Sequence, residues 1–221
     1  MRLIVGNMIF STWSLRPWLV LRRAGLDPEL VEVQLYGDDD WKARLFEVSP
    51  TGKVPLLQVE GEAIPDSLAI SLWCADRHPD KGLWPAEPVA RAQAFAVVCE
   101  MHSGFAALRT ECGMGMDAQG VLHTMFGPDR SPPPASAAVE ADVRRLVEIF
   151  TGCRGRFGAG GPYLFGDWSI ADAFFTPVAT RIRHFQIDLA AHGDDGTARA
   201  YVETLLADPF VQEWKRRAGV A

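Results

Sequence analysis

The alternation of apolar and polar positions changes character about a third of the way along the chain. Leu3 to Val5 is a short apolar strand, and Val31, Val33 and Leu35 alternate with Glu32 and Gln34 in a second. Between them Leu15, Trp18, Leu19 and Arg22 recur at helical spacing. That spacing predicts a helix starting near Ser14, with Pro17 in its first turn, where no backbone donor is needed, and Gly25 at its end. Trp41 to Val48 reads as a short helix. Val54–Val59 and Glu62–Ile64 read as two strands turning at Glu60 and Gly61, and a further helix is capped by Asp66 or Ser67, with Leu68, Leu72 and Ala75 on its apolar stripe. The order is βαβ followed by ββα, the order of a thioredoxin-type unit and of several other small α/β folds.

Past Pro79, Pro85 and Pro88 no alternating strand is visible. Helical runs occupy roughly 89–109, 136–153, 169–186, 197–206 and 209–217, and 113–135 reads as an irregular connection that could form part of a substrate-facing wall. The expected architecture is an α/β thioredoxin-like N-terminal domain (1–78), a linker (79–88) and an all-α C-terminal domain (89–221).

Composition narrows the class. The chain has 221 residues, 48% of them hydrophobic, enough to build a sizeable core without disulfides or structural metals. A net charge of -6 with no Lys/Arg cluster argues against nucleic acid or an anionic membrane as the main partner. Cys74, Cys99, Cys112 and Cys153 form neither a zinc motif nor a C-x-x-C pair and read as buried thiols of a reducing compartment. His78, His102, His123 and His192 lack metal-type spacing and are expected at surfaces or helix ends. The Asp38–Asp40 run reads as a solvated turn. The N-terminal apolar run is too short for a secretory signal or a spanning helix, so a cytoplasmic location is expected.

Several segments carry candidate chemistry. FSTWSLRP (10–17) places hydroxyls where the first strand meets the helix, SPTGKVPLL (49–57) places Lys53 and Pro55 before a strand, and IPDSLAIS (64–71) brings Asp66 and Ser67 to a helix start. By its own chemistry each has a plain reading: Ser11, Thr12 or Ser14 as a helix cap, Pro55 as a trans edge residue, Lys53 as a solvated lysine, Asp66 and Ser67 as a cap. GDWSIAD carries a Ser169-x-x-Asp172 capping box, which is structural. Trp13, Met101, Phe105, Met114, Met116 and Phe126 could wall an apolar pocket or fill the core.

Together these segments resemble the cytosolic glutathione S-transferase superfamily along essentially the whole chain. Serine-type, zeta-like members are nearest, and DAFFTPVATRIRHFQIDL (172–189) has the spacing of the corresponding zeta segment. The resemblance implies glutathione as co-substrate, with Ser11 as the catalytic hydroxyl favouring its thiolate and Ser14 as a cap or supporting residue. It implies a cis Val54–Pro55 bond presenting the Val54 backbone to the peptide. Lys53 would meet the glycyl carboxylate, Ser67 the γ-glutamyl carboxylate and Asp66 its ammonium group. The implied activity is attack of the thiolate on a small, apolar electrophile, in a cytoplasmic homodimer serving detoxification. A glutathione-dependent cis-trans isomerase of the maleylacetoacetate type and a non-catalytic binding module are the alternatives. Trp13 stands where zeta enzymes usually carry cysteine. Their substrate-carboxylate arginine aligns with His184, which leaves His184, with Trp13, Met101 and Phe105, as a pocket candidate.

Overall fold

The computed structural model describes residues 1–36, 38, 40–130 and 136–220. Strand β1 (Arg2–Gly6), helix α1 (Thr12–Arg23), strand β2 (Glu29–Val33) and helix α2 (Trp41–Val48) are followed by β3 (Leu56–Val59), β4 (Glu62–Pro65) and α3 (Ser67–Arg77). The sheet order is β2-β1-β3-β4. β1 runs parallel to β2, with Ile4 opposite Val31, and antiparallel to β3, with Leu3 opposite Leu57. Leu3, Ile4, Val5, Leu56 and Leu57 in the two central strands are almost wholly buried, as an apolar run without alternation requires. Leu35, expected at the end of the second strand, lies beyond it.

The helical region comprises α4 (Pro88–Ser103), α5 (Ala106–Glu111), α6 (Ala137–Phe157), α7 (Ile170–His184), α8 (Thr197–Ala207) and α9 (Pro209–Arg217). Helix α1 is the joint. It packs against α3 on one side and α7 on the other, and α7 in turn packs on α4 and α8. Nine of the twelve residues of α1 are therefore buried, including Leu15, Arg16, Trp18 and Leu19. At the far end Trp214 of α9 meets Trp18 edge-on with ring centroids 5.1 Å apart, and its indole N–H donates to the Met8 carbonyl at 2.9 Å.

Helix α7 is buried along nearly its whole length and is fixed at its start by the Ser169–Asp172 capping box. The Asp172 carboxylate accepts from the Ser169 N–H at 2.7 Å and the Ser169 hydroxyl at 3.1 Å. It also accepts from the Leu164 N–H at 3.1 Å and the Tyr201 hydroxyl at 2.7 Å.

The structure departs from the sequence expectations in identifiable places. Helix α1 starts at Thr12, so Pro17 lies in its second turn. The run 89–109 is two helices, because Phe105 adopts a left-handed conformation at φ 58° and a Cβ on Gly104 would come within 2.7 Å of the Glu100 carbonyl. Arg109 closes the break by donating to the carbonyls of Gly104 and Met101. The irregular connection contains a small hairpin, β5 (Gly115–Met116) with β6 (Leu122–His123); its residues 131–135, like Asp39 of the acidic run, lie outside the described residues. Cys74, Cys112 and Cys153 are buried, whereas Cys99 is exposed. Burial pushes the Cys74 thiol up to about 12 and those of Cys112 and Cys153 up to about 11. Among the described residues no helix is long and apolar enough to cross a membrane, and no cluster of His, Cys, Asp and Glu could hold a metal ion.

Candidate active site

The turn from β1 into α1 opens onto a cleft of about 880 Å³. Ser11, Thr12 and Trp13 form one wall, Lys53, Val54 and Pro55 another, with Asp66 and His102 beside them and Arg109, Met114 and Arg181 at the helical side. A smaller cleft of about 360 Å³ lies across Phe10, Leu35 and Tyr36 and takes in, of the sequence-predicted residues, Met116.

Ser11 occupies the N-cap position of α1, yet its hydroxyl makes no capping bond. Its Oγ lies 2.8 Å from Ser14 Oγ, and the Gly6 N–H donates to Ser14 Oγ at 3.1 Å. Of the two roles expected of Ser14, it does not cap the helix; it is a fully buried bridge from α1 to the end of β1, beside Ser11. Gly6 has to be small here, since a Cβ would lie 2.6 Å from Leu35 Cδ1 and 3.1 Å from Ser11 Oγ. The plain reading of Ser11 as a helix cap is excluded, and its hydroxyl is left at the cleft wall.

Opposite Ser11, the Val54–Pro55 peptide is cis. The preceding turn is fixed by the Ser49 hydroxyl, which donates to the Lys53 carbonyl at 2.7 Å, while the Lys53 side chain lies exposed at the rim. Asp66 caps α3 through Oδ1, which accepts from the Leu68 N–H at 2.7 Å, and its φ of 83° is unusual for a residue with a side chain. Its Oδ2 lies 3.4 Å from His102 Nε2. Ser67 is fully buried behind it, and its Oγ has no hydrogen-bond partner among the described residues. A buried hydroxyl at the first turn of a helix suits an incoming carboxylate.

Arg109 and Arg181 make the helical side of the cleft cationic. Arg16 of α1 does not line the cleft but is wholly buried behind Trp13, its guanidinium carbon 4.3 Å from the Trp13 ring centroid and 5.1 Å from that of Phe174. None of its three guanidinium nitrogens has a hydrogen-bond partner among the described residues. Burial, reinforced by Arg109 and Arg181, holds its pKa well below the usual value, and only Asp66 opposes them. Arg181 donates to the Cys112 carbonyl at 3.1 Å and reaches Thr12 Oγ1 at 3.5 Å; burial and Arg109 bring it down to about 10. Burial also lowers His102, opposed by Asp66 and assisted by Arg16 and Arg109.

Of the expected pocket residues, Trp13 and Met114 line the cleft. Met101 and Phe105 do not: both are in the core, turned inward at the break between α4 and α5. Met116 lines the smaller cleft, and Phe126 is buried. His184 is also absent from the cleft, because it is buried at the end of α7 and its Nε2 lies 3.1 Å from His123 Nδ1. Sequence reasoning missed Arg16, His102, Arg109 and Arg181. The one signal available was Arg16, a cation one turn from Leu19 and Val20 on the buried side of α1.

A thioredoxin-like α/β unit is joined to a predominantly helical region, with Ser11 in the wall of the cleft that residues of both regions line. The glutathione S-transferase N-terminal domain model matches residues 10–77. A probable maleylacetoacetate isomerase of Caenorhabditis elegans is 36% identical over 105 residues, covering 46% of this chain and 49% of that protein, so the chain matches only about half of that relative's length. A zeta-class glutathione S-transferase of Euphorbia esula is 26% identical over 181 residues, covering 81% and 76%. Among solved structures, a glutathione transferase homologue from Burkholderia with bound glutathione superposes with a TM-score of 0.71 at 25% identity, covering 99% of this chain and 97% of that one. Residues 10–77 thus match a glutathione S-transferase N-terminal domain, within a chain that shares the fold of that glutathione transferase homologue along its length.

Proposed function

We propose that this chain is a glutathione transferase of the serine type, working as a cytoplasmic homodimer. The observation that carries the reading is Ser11: its hydroxyl sits at the N-terminus of α1 and makes no cap, and the residue lines the same cleft as Val54 and Pro55. In this reading the Val54 backbone pairs with the peptide of glutathione as a short added strand. Ser67 and the first turn of α3 receive the γ-glutamyl carboxylate, with Asp66 beside its ammonium group, and Lys53 meets the glycyl carboxylate at the rim. Ser11 then donates to the sulfur. A thiol with an ordinary pKa near ~8.5 is mostly protonated at neutral pH, and a hydroxyl donor together with the α1 dipole favours the thiolate. Ionisation releases the proton to solvent. The sulfur lone pair forms a bond to the electrophilic carbon, and the leaving group departs with its electron pair.

The acceptor side of the cleft is not purely apolar. Arg109 and Arg181 stand beside Trp13 and Met114, which favours an electrophile with a carboxylate on an apolar frame. This supports the second reading, a glutathione-dependent cis-trans isomerase, in which the thiolate adds reversibly to an activated double bond and leaves again after rotation. Calorimetric titration with glutathione, followed by turnover of a chloroaryl electrophile, an activated maleyl acid and an α-halo acid, tests both. No glutathione binding would leave only a non-catalytic module.

A further inference from the structure

The hydroxyls of Ser14 and Ser11 obey a proton count that settles which one donates. Ser14 is wholly buried, and a serine hydroxyl has one proton to give. Its oxygen already accepts from the Gly6 N–H at 3.1 Å, a group that can only donate. Ser14 Oγ makes no bond to either carbonyl that a helical serine usually turns back to, those of Phe10 and Ser11, its partners being the Gly6 N–H and Ser11 Oγ. Among the described residues the one hydrogen-bond acceptor for the Ser14 proton is Ser11 Oγ at 2.8 Å. Were Ser11 to donate in the other direction, the Ser14 proton would be left in a dry interior without an acceptor, an arrangement native proteins avoid. The bond therefore runs from Ser14 to Ser11.

We infer that Ser14 is a positioning residue that turns the Ser11 proton into the cleft. With Ser14 donating, one Ser11 lone pair is occupied and its own proton is free for the sulfur. The order is Gly6 N–H to Ser14, Ser14 to Ser11, Ser11 to thiolate. Every donor in this row polarises the next. Its base is the last residue of β1, which pairs with Val33 of β2, so the direction of the Ser11 proton is anchored in the sheet. This inference rests on the reading of Ser11 as the thiolate's partner.

The test is the ionisation of bound glutathione, followed by its ultraviolet thiolate absorbance against pH, in the wild type, Ser14→Ala, Ser11→Ala and the double variant. In Ser14→Ala the thiol titration should move up by about half a pH unit or more, a roughly threefold loss of thiolate at a given pH below it. The glutathione dissociation constant should change less than about twofold, and in the Ser11→Ala background the Ser14 change should add nothing. An unshifted titration in Ser14→Ala, or an equal shift with and without Ser11, overturns the inference, because a residue acting only through the fold would not need Ser11. If Ser14→Ala fails to fold, Ser14→Cys keeps a weak donor in similar volume; a smaller upward shift supports the proton path and none overturns it. Absence of glutathione binding in the wild type instead overturns the underlying reading of the site.

Discussion

His184 Nε2 lies 3.1 Å from His123 Nδ1, and His123 Nε2 lies 3.0 Å from an Asp117 carboxylate oxygen. This row ties the β5–β6 hairpin to the end of α7. Because Asp117 only accepts, His123 donates to it through Nε2 and accepts from His184 through Nδ1. His184 Nδ1 is then unprotonated, and it is buried with no partner among the described residues. Burial lowers the His184 pKa, and the Arg130 and Arg183 guanidiniums push the same way against Asp129. The folded state thus takes up this proton at lower pH than the unfolded chain does. Its contribution to stability is full above the unfolded value of about 6.5 and is lost as pH falls through the folded value. Urea midpoints measured from about pH 7.5 down to about pH 5 should decline, and His184→Leu should flatten that decline. A His184→Leu slope equal to wild type would show that another group governs it.

Asp172 works in the opposite direction. Burial raises its pKa to about 6 even though four donors surround the carboxylate. The contribution of this group is greatest below the unfolded value near ~3.9 and is lost as pH rises through the folded value. Asp172→Asn removes that dependence but turns an amide donor against the Ser169 or Leu164 N–H. The expected loss is about 1–3 kcal/mol at neutral pH, read by denaturant unfolding, with Asp172→Ala worse. Full stability in Asp172→Asn would mean the carboxylate bonds contribute little.

Ser11→Ala should lower kcat/KM for a chloroaryl electrophile by about tenfold to a hundredfold, given the weight of a single preorganised donor at a developing or resident anion. Glutathione affinity should stay within a few fold. Steady-state kinetics and calorimetry on the same preparation decide it, and unchanged turnover removes Ser11 from its role.

Arg16 is a buried cation that bonds no anion among the described residues, and its desolvation is uncompensated there. Arg16→Met, of similar length, should raise the ligand-free unfolding free energy by about 1 kcal/mol, because loss of stacking on Trp13 and Phe174 offsets part of the desolvation relieved. The variant should gain less thermal stability than wild type from added glutathione or from a carboxylate electrophile. A large loss of ligand-free stability would show that stacking outweighs desolvation.

Arg181→Met should show whether the helical side of the cleft receives a substrate carboxylate. Turnover of a chloronitrobenzoate should fall about tenfold or more relative to its methyl ester if the guanidinium receives the carboxylate, in line with loss of a charge-assisted bond. Equal effects on acid and ester would place the carboxylate elsewhere.

The order of strands and helices was legible because each element buries one face, and burial imposes its period on the chain. What stayed hidden depended on contacts between distant segments. The break at Gly104 and Phe105 is held by Arg109 reaching back to two carbonyls, and nothing in the periodicity of 89–109 announces it. Ser11, Val54, Asp66 and Ser67 stood out through local motifs. Arg16, His102, Arg109 and Arg181 come from α1, α4, α5 and α7 and converge only in space, so no spacing could disclose them. Met101 and Phe105 stood open between pocket and core because the two draw on the same residue types, and only burial separates them.

The bond from the Trp214 indole to the Met8 carbonyl has a consequence for biosynthesis. Met8 opens the loop that presents Ser11, and its partner lies 206 positions later, in α9. That loop can be synthesised, and its sheet assembled, long before its last hydrogen bond becomes available. Until α9 has emerged from the exit tunnel, a nascent chain should therefore hold this loop without its tie to α9.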